Sequence, residues 1–210
     1  MPQRAQRHFS LRPTGWNACL TISIICLVII TGCSPSKETK EETDTTEINT
    51  ETVHEEGAAI MEAAKAEQEN PMYSKDKDST YLYWLNNKLI LLNGQTKCNI
   101  YALNTLFKAG FKTPDVNVLT RDLMDTSMFK NILPVVGISE PDSARKGDLI
   151  SWYGHVIIFD NLLKIKSDIY AQAWWAGTRQ SDNGDNIINN VVYGKYKLSG
   201  YYVVRRPVKK

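Results

Sequence analysis

Cys98 and His155 are the side chains of this chain that together could do nucleophilic chemistry. A thiolate attacks carbonyl carbon, and an imidazole titrating near neutrality can take the thiol proton and hand it to a leaving group. The chain has four cysteines and three histidines. Cys19 and Cys26 sit in an apolar N-terminal run that Cys33 closes, while His8 precedes that run and His54 lies in an acidic stretch. Cys98 is thus the one cysteine, and His155 the one histidine, in the part of the chain with a globular composition. A cysteine with no pairing partner is either an inert core residue or a reactive one. The elements around it decide which.

Thr96 can cap a helix over 97–109, which Gly110 would end. Cys98, Ala102, Leu106 and Ala109 share one stripe of that helix, so Cys98 is expected in its first turn, facing the interior. The first turn aims unsatisfied N–H groups and the positive end of the helix dipole at the sulfur, which favours thiolate, and Lys97 pushes the same way. Those N–H groups can also hold an oxyanion. His155 follows Gly154 at the start of an apolar strand, a sheet-end position where a cleft can form. Gln95 or Asn93 could add an oxyanion donor or simply make the turn. Tyr83 and Trp84 could line a groove or pack in the core. Of Trp174 and Trp175 only one can flank a cleft, because neighbours on a strand point to opposite faces. Asp148, in a Gly-Asp turn, reads as structural.

A third residue should orient the imidazole. His155, Ile157 and Phe159 share one face of their strand. A hairpin turning near Leu163 and Lys164 places Gln172 across from His155. Asp160 and Asp168 are the alternatives, and a dyad of Cys98 and His155 alone is another.

The elements that must position these residues change character along the chain. Residues 34–57 hold eight acidic and two basic side chains and almost no large apolar one. Such a segment cannot offset its ordering entropy by burial and is expected to be a disordered tether. Residues 58–68 are rich in Ala, Glu and Lys and predict a solvated helix outside the core, stopped at Asn70-Pro71. The globular domain is expected over 72–210, where 19 basic and 12 acidic side chains leave a net +7 that suits an anionic polymer. Within it, 80–92 and 119–128 predict helices and 134–142 a loop. Strands are expected over 148–151, 156–160, 169–175, 187–193 and 201–205. Helices first and strands later, without alternation, predict an α+β class with an antiparallel sheet.

Two resemblances follow. Cys98 opening a helix that ends Lys108-Ala109-Gly110-Phe111, then Arg145-Lys146-Gly147-Asp148-Leu149 and Gly154-His155-Val156-Ile157-Ile158, resembles the NlpC/P60 and CHAP amidase/peptidase superfamily. The closing 200–207, Gly-Tyr-Tyr-Val-Val-Arg-Arg-Pro, is similar to the last strand of CHAP domains. The likeness spans about residues 80–207. It implies a papain-like fold, a thiol acyl-transfer mechanism without cofactor or metal, peptidoglycan peptide as substrate, and a polar third residue on the strand that carries Gln172. The N-terminus resembles a bacterial lipoprotein: basic Arg4, Arg7 and Arg12, an apolar run over 18–31, and Ile30-Thr31-Gly32-Cys33 as a lipobox. This implies a signal peptide over 1–32 and a lipid on Cys33 that holds the protein at the envelope membrane. Ser34 resembles the sorting residue of outer-membrane lipoproteins. The sequence has no metal-ligand spacing, no phosphate loop and no nucleic-acid motif. The expected activity is a cysteine-dependent peptidoglycan amidase or endopeptidase. The alternatives are a non-catalytic wall-binding lipoprotein on the same fold, or a thiol hydrolase or acyltransferase acting on protein or lipid.

Overall fold

The first element, helix α1 (Glu51–Gln68), is docked where a solvated helix was expected. Residues of this segment form helix for the reason foreseen, a run of strong helix formers, yet Ile60, Ala64, Glu67 and Gln68 are all buried. They recur at helical spacing and make a face narrow enough to escape notice in an Ala/Glu-rich stretch. The face rests on helix α2 (Cys98–Lys108), where the Tyr101 hydroxyl donates to the Ala64 carbonyl at 2.7 Å. Gln68 donates to the carbonyls of Asn186 and Val191, at 3.2 Å each. Gly57 lets the start of α1 touch the 146–147 turn: a Cβ there would lie 2.5 Å from the Lys146 carbonyl oxygen.

This computed structural model describes residues 51–177 and 183–210. The expected signal peptide over 1–32, Cys33 and the expected tether up to residue 50 lie outside the described residues. The compact unit that contains the described part runs from Thr46 to Lys210, so the packed domain begins ahead of residue 72. The last residues of the expected tether, 51–57, belong to α1.

The helix expected over 80–92 is instead a hairpin, with β1 (Ser79–Leu82), a 3-10 turn (Tyr83–Leu85) and β2 (Lys88–Leu91). Asn86 and Asn87 carry φ of 54° and 56°. That left-handed pair is what asparagine tolerates and what a tight hairpin requires. The buried Asn104 side chain accepts from the Tyr83 N–H at 2.8 Å and donates to the Tyr81 carbonyl at 2.9 Å, tying this hairpin to α2.

The main sheet has seven strands in the order β3-β9-β4-β5-β6-β8-β7, with every pairing antiparallel. They are β3 (Val135–Ile138), β4 (Leu149–Trp152), β5 (His155–Ile165), β6 (Asp168–Ala176), β7 (Asn183–Ile188), β8 (Val191–Lys197) and β9 (Val203–Arg205). The α+β class with an antiparallel sheet is as expected. Two details differ. Residues 135–138, taken for loop, pair with β9. The expected strand over 187–193 is broken by Asn189 and Asn190, with φ of 50° and 64°, into the hairpin of β7 and β8. In both places the short apolar run alone hid its partner strand.

Alternation sorts the sheet into two buried faces. On the helix face, Leu149, Val156, Ile158, Trp174, Ala176 and Val191 share a core with Cys98, Tyr101 and Leu106. On the strand face, Ile150, Ile157, Phe159, Ala173, Trp175, Val192 and Val204 form a second core with Leu198 and Tyr202. Helix α3 (Thr120–Met124) covers the β4 end of the helix face. It is shorter than the helix expected over 119–128.

Candidate functional site

Cys98 is the first residue of α2, as expected, and is 1 % exposed. Thr96 does not cap the helix. Lys97 takes the cap position without a side-chain hydrogen bond, and the Thr96 hydroxyl lies 3.8 Å from Cys98 Sγ. Gly110 ends the segment in the left-handed conformation, with φ 83°.

The electrostatics differ from the expectation. Burial pushes the Cys98 thiol above its ordinary pKa, against the Thr96 hydroxyl and the backbone N–H groups of Val156, Asn99 and Cys98, which pull it down. Desolvation disfavours the charged form, and at 1 % exposure it is the largest influence on the thiol. Lys97 gives less help than its position suggests. Its ammonium is held by the carbonyls of Met72 and Ser74.

His155 opens β5 after the two-residue turn Tyr153-Gly154. Gly154 adopts φ 90° and its N–H donates to Thr120 Oγ1 at 3.0 Å, fastening the turn to α3. The imidazole stacks on Tyr196, with centroids 5.0 Å apart and planes 20° from parallel. Tyr196 in turn contacts Trp152 and Trp175 and packs against the strand-face core. Cys98 packs on the helix face beside Val156. Neighbouring residues of one strand thus serve the two sides. Val156 offers its N–H to Cys98, and the His155 ring lies on the far face.

Gln172 does not stand across from His155. The β5–β6 hairpin turns at residues 166–167, not at 163–164, and a bulge at Asp160 shifts the register once more. Gln172 therefore pairs with Asn161 and Lys195. The reason is length: β5 runs eleven residues, because Leu162, Leu163 and Ile165 continue the strand past Asp160. Asp160 is engaged by Lys146 at 2.6 Å and by the Tyr193 hydroxyl at 2.6 Å, and Asp168 by Lys197 at 2.9 Å. Asp148 is structural, as expected. It accepts from the Arg145 N–H at 2.8 Å and from the Arg206 guanidinium at 2.8 and 3.1 Å. Trp174 and Trp175 fall on opposite faces. Trp84 is a core residue whose indole donates to the Val116 carbonyl at 3.1 Å.

A cleft of about 340 Å³ opens on Cys98, walled by Gly94, Gln95, Thr96 and Asn99 on one side and by Leu119, Thr120, Arg121 and Gly154 on the other. Gln95, one of the suggested oxyanion donors, is in this wall. Asn93 makes the turn before it, with φ 50°. The residues that sequence reading missed are Thr120 and Arg121. They come from a five-residue helix whose N-terminal loop is held by the Asp122 carboxylate on the Leu119 N–H at 2.8 Å. An acidic residue three positions after Leu119 was the one available signal, and it marks a helix start, not a cleft wall.

No protein-family model, curated protein or solved structure matches this chain.

Proposed function

We propose that this chain is a cysteine-dependent hydrolase of amide bonds in cell-wall peptide, lipid-anchored at Cys33, with Cys98 as nucleophile and His155 as general base. The observation that carries the reading is the seat of Cys98. It sits in the first turn of an eleven-residue helix, in the lining of a cleft, with backbone N–H groups turned to its sulfur. In catalysis the imidazole leaves Tyr196 and turns about the strand-start residue toward the Gly154 wall of the cleft. His155 then takes the thiol proton as Sγ attacks the carbonyl carbon. The N–H groups of Cys98, Asn99 and Val156 hold the oxyanion. The imidazolium returns the proton to the leaving amine, and water attacks the thioester to release the acid and regenerate the thiol. With Gln172 displaced, the chemistry belongs to a dyad. The papain-like architecture of the resembling superfamily belongs to this same proposal.

The stacking of His155 on Tyr196 favours a second reading, a wall-binding module in which Cys98 is an inert core thiol. Digestion of purified murein, read by mass spectrometry for new amines and shortened peptides, separates the two. Product that survives Cys33→Ala and disappears with Cys98→Ala supports the hydrolase. An unchanged murein profile with the unsubstituted protein sinks it.

A further inference from the structure

The cleft at Cys98 carries one formal charge among the described residues that wall it, and that charge is Arg121. Its neighbours in the wall, Gln95, Thr96, Asn99 and Thr120, are neutral and polar. The guanidinium is not consumed by the fold. Among the described residues its one acidic contact is Asp122, at 3.7 Å and beyond hydrogen-bond reach, with the arginine side chain 74 % exposed. Asp122 itself is turned to the Leu119 N–H at 2.8 Å. Thr120, by contrast, is committed, accepting from the Gly154 N–H, and so holds the wall in place beside a free guanidinium. A planar fork of donors on a fixed wall pairs two-to-two with a carboxylate.

We propose that Arg121 is a specificity residue that selects ligands carrying a free carboxylate, placing that group at the cleft mouth while the neutral remainder lies along the uncharged wall toward Cys98. Arg121 thereby names the ligand chemistry of the hydrolase proposed above, on which this role rests, yet its test needs no turnover. The probe is alkylation of Cys98 in the folded full chain, followed on the peptide that bears it, by iodoacetate and by neutral iodoacetamide.

The iodoacetate-to-iodoacetamide rate ratio should exceed that of free cysteine by about threefold, the size of an exposed charge pair, and should fall to the free-cysteine value in Arg121→Gln. Arg121→Lys should keep part of the excess, and roughly 1 M salt should erase it. A short peptide with a free C-terminal carboxylate should protect Cys98 from iodoacetamide better than its amidated twin, and this difference should vanish in Arg121→Gln. A ratio unchanged by Arg121→Gln overturns the assignment. So does a folded protein in which neither reagent reaches Cys98. An elevated ratio that Arg121→Gln abolishes, with no murein digestion, would leave Arg121 its role and remove the hydrolase.

Discussion

The two faces of the seven-stranded sheet are built by different means. The helix face is covered by α1, α2 and α3, whose termini and connecting loops bring backbone polar groups that must be satisfied. Arg205 does much of this. It is fully buried, and its guanidinium donates to the carbonyls of Leu123, Asp125, Met128 and Leu133. Among the described residues, none from these helices lies in the core of the strand face. Strand and loop side chains fill it, with Trp152, Trp175, Tyr196 and Tyr202 in contact with one another through tilted and edge-on rings. Cys98 belongs to the first face and the ring of His155 to the second. One step along β5 separates them, because alternation sends successive side chains to opposite faces. Proximity in the backbone therefore says little about whether a thiol and an imidazole meet. In the proposed hydrolase the two meet only when the imidazole leaves Tyr196 and swings round the start of the strand.

The comparison can be broken most severely at Arg205. Arg205→Ala leaves four carbonyls, two of them buried, without their donor and should cost about 3 kcal/mol, read as a loss of denaturant midpoint with the 119–133 segment the first to exchange its amides. Next comes Gly57→Val, which forces a Cβ into the Lys146 carbonyl. It should cost about 1–3 kcal/mol by overpacking and lower Tm, whereas Gly94→Ala meets no such contact and its cost, about 1–2 kcal/mol, comes from the left-handed φ of 77°. Tyr196→Leu removes the ring beneath His155 and should cost about 1 kcal/mol. In the proposed hydrolase it should also raise Cys98 alkylation near pH 7, because the imidazole is released, and His155→Ala in the same background should cancel that rise.

The smallest expected effect is a pH slope. Burial holds the Cys98 thiol pKa above its unfolded value, so the folded state keeps a proton that the unfolded state gives up. The associated stability is fully present below the unfolded thiol pKa, about 8.5, and is lost as pH rises through the folded value. The stability of the unsubstituted protein should therefore fall more than that of Cys98→Ala as pH rises above about 8.5. Parallel curves would mean that the thiol is not desolvated.

Several elements could be read directly from the residues. The α2 helix, its start at Cys98 and its end at Gly110 follow from helix formers between a polar turn and a glycine. Strands β4, β5, β6 and β9 follow from β-branched and aromatic runs, and the α+β class follows from their order. Asp148 was legible as a turn residue. The 80–92 hairpin was not, because Tyr81, Leu82, Trp84, Leu85 and Leu89 match helical spacing while the deciding fact is a left-handed Asn86-Asn87 turn. The α1 face was hidden by small and charged residues whose burial shows only against α2. The partner of His155 was misassigned for want of one number, the length of β5, since a hairpin turn moved by three residues carries Gln172 away from the position expected of it.

By itself, then, the sequence determined which groups are available. It has one cysteine and one histidine within residues 72–210, a helix start under the cysteine and a glycine turn before the histidine. These are local properties, set by propensity and turn chemistry within a few residues. The tertiary structure alone decided how those groups are used. Desolvation in the helix-face core raises the thiol pKa, register places Gln172 opposite Asn161, and the fold of 119–121 over the Gly154 turn brings Arg121 to the cleft. Each depends on contacts between segments far apart in the chain, which no local pattern encodes.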